Sequence, residues 1–183
     1  MLFEEDWYGA YSTCLSCGYV YEFGAGEEFV AVEGEGATLD GNPIEMPSGD
    51  GLEVVAIEAS KPERVQVASE ALAGRAYRIR APGSIAVSAC YVAAGRFDGM
   101  FSTRDCRSVD VAAAQLVVRE AGGSLSFGDE LSKTSLSLDA RYGIAAARTD
   151  TNLERASALW RLRRAVRILP AAAILRKSAA VTA

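Results

Sequence analysis

Histidine is absent from the 183 residues. Without it, Ser84, Ser88 and Ser108 have no imidazole base to make them nucleophiles, and zinc would have only cysteine for a soft ligand. Cysteine is itself scarce, occurring as Cys14, Cys17, Cys90 and Cys106. Only "CLSC" has metal-like or redox-like spacing, and nothing in the spacing brings the other two beside it. The cysteines therefore read as free thiols in a reducing compartment. Positive charge is short as well: the net charge is −5, against the clustered Lys and Arg of a general nucleic-acid binder. No apolar run approaches the roughly 20 residues of a membrane span, and the opening "MLFEEDWYGAY" is acidic where a secretory signal is basic and then apolar. These absences predict a cytoplasmic protein with neither nucleic acid nor membrane as partner.

Half of the residues are apolar, enough for one compact core. "CLSCGYVYEFGAGEEFVAVEGEG" is dense in Tyr, Val and Phe on both sides of "GAG" and predicts a hairpin. "GEGATLDGNPIEMPSGDG" reads as turns around one short extended piece, its glycines wrongly spaced for a nucleotide loop. "LEVVAIEAS" predicts a strand covered on both faces. "PERVQVASEALAG" predicts a short helix opened by Pro62 and closed by Gly74, and "AYRIRAPG" a strand and turn. "SIAVSACYVAAG" predicts a helix capped by Ser84 and stopped at Gly95, and "RFDGMFS" another strand. From about Asp110 to Ala121 a further helix is expected, with Gln115 and Arg119 as its narrow wet stripe and Gly122–Gly123 at its end. "SLSFG" and "RYGIAAART" are two more strands, the second central, and the rest is helical.

This order predicts an α/β (α+β layered) sandwich, a mixed sheet with helices on both faces. Its parts are a remnant of an N-terminal sheet over 1–50, an α/β domain over 51–152 and a basic amphipathic helical tail over 153–183. The tail carries Arg155, Arg161, Arg163, Arg164, Arg167, Arg176 and Lys177 against Glu154. It either packs on the domain through Leu159, Trp160 and Leu162 or lies on a partner or an anionic surface.

Asp110 heads the apolar run "VDVAAAQLVV". A carboxylate in the first turn of a helix meets unpaired amides and the positive end of the dipole, so a structural cap is one reading. The other is a ligand for a hard cation such as magnesium, for which one Asp is never a whole site.

"GSIAVSACYVAAGRFDGMFS", a short loop, and "VDVAAAQLVVREAGGSLS" follow one another in an order that resembles the C-terminal half of the inositol monophosphatase family. "FVAVEGEGATLDGNPI" is similar to that family's strand, Gly-Ala turn and "DG" pair, so the likeness runs from about residue 18 to 150. "STRDCRSVDVAAA" is closer to the archaeal bisphosphatase-like branch than to the animal enzymes, which have a Trp before this Asp. The resemblance implies magnesium-dependent hydrolysis of a small phosphorylated sugar or polyol, of the inositol phosphate or fructose 1,6-bisphosphate class. It implies that Asp110 is a magnesium ligand and that Gly83 and Ser84 contact substrate, with Ile85 in place of the family's small residue. The Glu that contacts inositol in animal members would fall near Ser102, so that contact is not carried over.

The family's D-P-x-D-G-T motif and its earlier metal-holding Glu are absent, and no catalytic residue is assigned. Several anionic ligands are needed to hold the ions and activate a water. Glu4, Glu5 and Asp6 lack the Gly-Thr turn and read as solvated surface. The chain is therefore expected to be the later part of a phosphatase, whether truncated, split or misassigned at its start. It should be nearly inactive alone, and either homodimeric, as the family commonly is, or completed by an N-terminal chain. The alternative is a non-catalytic binding or scaffolding module of the same fold.

Overall fold

The computed structural model describes residues 26–58, 61–128 and 140–158 in full, and the backbone alone of 2–6, 9–13, 20–22, 130–131 and 159–166. Cys14 and Cys17 and the side chains of Glu4, Glu5, Asp6, Leu159, Trp160 and Leu162 lie outside the described residues.

Strands β1 (Leu2–Asp6), β2 (Gly9–Thr13), β3 (Val20–Glu22), β4 (Glu28–Val32), β5 (Gly36–Leu39) and β6 (Asn42–Pro43) form an antiparallel meander. The expected hairpin is β3–β4, with Val20 opposite Phe29 and Tyr21 opposite Glu28. The turn-rich stretch after it is more ordered than its composition predicts. Asp40 and Gly41, at φ 52° and 77°, make the two-residue turn whose handedness suits adjacent antiparallel strands, and Glu28 N donates to Asp40 Oδ1 at 2.7 Å.

The second sheet runs β12 (Glu130–Leu131), β11 (Ser124–Phe127), β14 (Ile144–Ala147), β9 (Gly99–Ser102), β7 (Val54–Glu58), β8 (Arg78–Arg80). Strands β8, β7 and β9 are mutually parallel, and the others pair antiparallel. "RYGIAAART" divides into β13 (Arg141–Tyr142), which pairs with β10 (Cys106–Arg107), and β14, which is central as expected. Helices are α1 (Pro62–Leu72), α2 (Ile85–Ala93), α3 (Ala112–Glu120) and α4 (Asp150–Val166).

The period-two alternation of strand side chains divides the core in two. Ala56, Met100, Ile144, Ala146, Leu125 and Phe127 face α2 and α3, and the far side of α3 meets the meander strands that carry Phe29, Ala31 and Ala37. Val55, Ile57, Phe101, Ala145 and Ala147 face α1 and α4. The layers are meander, α2–α3, mixed sheet, α1–α4. Because α3 lies between two sheets, Gln115 is buried and only Arg119 of the expected wet stripe is exposed. Helix α4 starts before the expected tail and buries Leu153 and Ala156 against the sheet, so its described part packs as an ordinary surface helix does. No helix among the described residues is long and apolar enough to cross a membrane.

A buried ion pair fixes the entry to β7. Arg148 pairs with Asp98 Oδ1, while Asp98 Oδ2 accepts from Val54 N at 2.6 Å.

Candidate active site

Three parallel strands end on one side of the mixed sheet, at Arg80, Glu58 and Ser102. In open α/β sheets the crevice outside such strand ends is where ligands bind. Residues 81–84, leading into α2, and 103–110, leading towards α3, emerge from this end.

Gly83 and Ser84 open α2. Gly83 has φ +85°, a left-handed conformation that glycine takes without steric cost. Ser84 Oγ accepts from Val87 N at 3.3 Å and the Ser84 carbonyl from Ser88 N at 3.0 Å, so Ser84 is the cap the sequence predicts. The amides before Val87 have no partner inside the helix, and with the helix dipole they favour an anion at this turn.

Glu58, which sequence reasoning passed over, lies beside this turn. The residue is 5% exposed, and its carboxyl accepts from Ser88 Oγ at 2.5 Å. Burial pushes its titration up to about 6, partly offset by hydrogen bonding from Ser88, the charge of Arg104 and the Gly83 amide. Its backbone carbonyl accepts from Thr103 N at 3.0 Å and Thr103 Oγ1 at 3.2 Å. The available signal was a lone acid in the apolar run "VVAIE", because a carboxylate at a doubly covered position must have polar partners.

Asp110 closes a 3-10 turn, Ser108–Asp110, and α3 starts beyond it, with Val111 as a cap that makes no side-chain bond. The carboxylate is a cap, as one reading expects, but of this 3-10 turn rather than of α3 itself, forming a capping box with Arg107. It turns back, accepting from Arg107 N at 3.0 Å and from the Arg107 guanidinium at 2.9 Å. With its side chain 31% exposed, the pair is solvent-screened and worth little to stability. Asp110 and Arg104 both act on Cys106, whose thiol is raised to about 11, first by burial and then by Asp110. Cys106 donates to the Tyr142 carbonyl, and like Cys90 it is buried and not part of a disulfide, which makes it inert rather than nucleophilic. Ser102 is fully buried and its hydroxyl accepts from Ile144 N at 3.0 Å, so it faces no ligand.

Among the described residues, no three Cys, Asp or Glu side chains are grouped to hold a metal ion. Asp110, held by Arg107, is a single hard donor where magnesium takes several oxygens. The described residues alone do not fit the ion.

The Inositol monophosphatase family model matches residues 10–164. The chain belongs to the inositol monophosphatase family. A "Fructose-1,6-bisphosphatase/inositol-1-monophosphatase" of Methanothermobacter thermautotrophicus is 32% identical over 137 residues, covering 71% of this chain and 47% of that protein. A "Nus factor SuhB" of Pasteurella multocida is 34% identical over 113 residues, covering 58% of this chain and 42% of the relative. The solved structure of a Thermotoga maritima IMPase superposes with a TM-score of 0.67 at 26% identity, over 79% of this chain and 57% of that one. The inositol monophosphatase fold expected from the sequence is the fold observed. The chain spans about half the length of the curated relatives it matches first.

Proposed function

We propose that this chain supplies the substrate-side half of a phosphatase site for small phosphate monoesters of the inositol phosphate or fructose 1,6-bisphosphate class. The observation that carries the reading is the convergence of the Gly83–Ser84 turn and the 103–110 segment outside three parallel strand ends. In this reading the amides that open α2 receive the phosphorylated polyol, and Ser84 fixes their direction by capping the helix. Asp110 is the carboxylate this chain would lend to magnesium, alongside ligands from a complementary chain or segment carrying D-P-x-D-G-T. The ion, if bound, would supply the positive charge that metal-assisted ester hydrolysis uses. Alone, the chain is nearly inactive. A cytoplasmic setting fits the reading. So does a homodimer, though a complementary N-terminal chain suits the missing ligands better.

The test is phosphate release from inositol 1-phosphate and fructose 1,6-bisphosphate with magnesium, before and after supplying the missing N-terminal sequence. A folded, restored protein with no gain in turnover rules the reading out.

The second reading is a binding or scaffolding module of the same fold, favoured by the Arg107–Asp110 pairing, which already occupies the carboxylate. One relative carries the name "Nus factor". On this reading Asp110→Ala leaves magnesium affinity unchanged, which calorimetry on the restored protein measures.

A further inference from the structure

Among the described residues two carboxylates are buried, Asp98 and Glu58. Asp98 has the guanidinium of Arg148 for a partner. Glu58 has a hydroxyl instead, that of Ser88, one turn into α2. A buried acid held this way costs more than an apolar residue of the same size, so its place in an otherwise apolar strand calls for a physical role.

The role follows from what converges on it. Thr103 fixes the Glu58 backbone through two hydrogen bonds to its carbonyl, and Arg64 of α1 donates to the Thr103 carbonyl at 3.4 Å. The side chain then reaches across to α2, holding Ser88 Oγ at 2.5 Å, and the Gly83 amide is among the groups that lower its titration. Gly83 and Ser88 bracket the opening turn of α2. The charged groups facing this end are Arg104, after β9, and Arg64.

We infer that Glu58 is a positioning residue: anchored at the end of β7, it holds the Gly83 turn and Ser88 together and so sets the direction in which the remaining amides of α2 point. This rests on the proposed reading of the Gly83–Ser84 turn as the phosphate-facing one. With Ser88 held to Glu58, the amides that open α2 are left for the ligand. The Arg104 charge and the Ser88 hydroxyl help keep the inner carboxylate in place as an acceptor. Glu58 does not touch the reacting atoms.

The test uses the full chain and needs no turnover. Backbone amide shifts of Gly83 and Ser84 are followed by nuclear magnetic resonance from pH 4.5 to 7.5, in the wild type and in Glu58→Gln. The expected result is a single-proton titration of both amides near pH 6 in the wild type, absent from the variant. In Ser88→Ala, amide exchange of residues 83–86 should rise at least tenfold while that of 90–93 stays within twofold. A flat Gly83 profile in the wild type, or unchanged exchange in Ser88→Ala, overturns the inference. Adding inorganic phosphate with magnesium tests the underlying reading separately. If the pH and exchange results hold and phosphate leaves Ser84 and Ile85 unmoved, the positioning network stands and the phosphate-facing reading falls.

Discussion

At Glu58 the direction of pH dependence follows from which state holds the proton more tightly. The unfolded chain releases it at the ordinary value of 4.5, and the folded chain at about 6. The folded state is therefore favoured while the group is protonated, and this contribution is lost as pH rises from 4.5 through 6. A shift of this size corresponds to about 2 kcal/mol. Urea unfolding of wild type and Glu58→Gln at pH 4.5 and 7.5 should show the wild type losing about that much relative to the variant at the higher pH. Glu27 works the opposite way: its hydrogen bond with Arg96 lowers its titration, so its contribution is present above the unfolded value and lost as pH falls. The exposed position of that pair keeps the effect small. The comparison of wild type with Glu58→Gln cancels it.

Helices α2 and α3 end alike. Gly95 N donates to the Val92 carbonyl and Arg96 N to that of Tyr91, while Gly122 and Gly123 repeat the pattern with Arg119 and Val118, the left-handed glycine stop that satisfies the last carbonyls. Their surroundings differ. A Cβ at Gly95 would lie 2.5 Å from Pro47 Cδ, whereas one at Gly122 would meet nothing within 4 Å. Gly95→Ala should therefore cost about 2–4 kcal/mol, from backbone strain plus overpacking, and Gly122→Ala about 1–2 from strain alone. Thermal unfolding of the two variants gives the order. These stops were legible because Gly95 and Gly122–Gly123 each follow a run of apolar residues, and the Ser84 cap and Pro62 start were written as plainly. Strands β1 and β2 were not, since "LFEED" and "GAYST" have neither a run of strand formers nor a turn pair between them. The Arg107 claim on Asp110 was hidden too, because a three-residue contact of this kind exists only once the chain takes the 3-10 turn. Gln115 and Glu58 were misjudged or missed for one shared reason: which faces of a helix or strand are covered depends on the layers around it, not on its own spacing.

At the scale of the molecule, the described side chains of β4 and β5 pack with the α/β part. Phe29 and Ala31 of the meander belong to the cluster that contains Ala56 and Met100 of the mixed sheet, one of the two clusters that make up the core. The basic helix is packed at its start too. Leu153 is 4% exposed, and Asn152 donates from its side chain to the Gly51 carbonyl at 3.1 Å. Leu153→Ala should destabilise the fold by about 2–5 kcal/mol, the range for a buried leucine whose site cannot collapse. Glu154→Ala, one residue on and exposed, should stay within about 0.5 kcal/mol. Denaturant midpoints of the two distinguish a packed helix from a loosely attached tail.

Glu120, at the far end of α3 from Asp110, accepts from the amides of Gly34 and Gly36 at 3.1 and 3.0 Å. The helix is thus a rod about 14 Å long, clamped to the β4–β5 bend at one tip and leading from Asp110 at the other. Without the Glu120 carboxylate the amides of Gly34 and Gly36 would lose this shared acceptor, and the bend its tie to the helix.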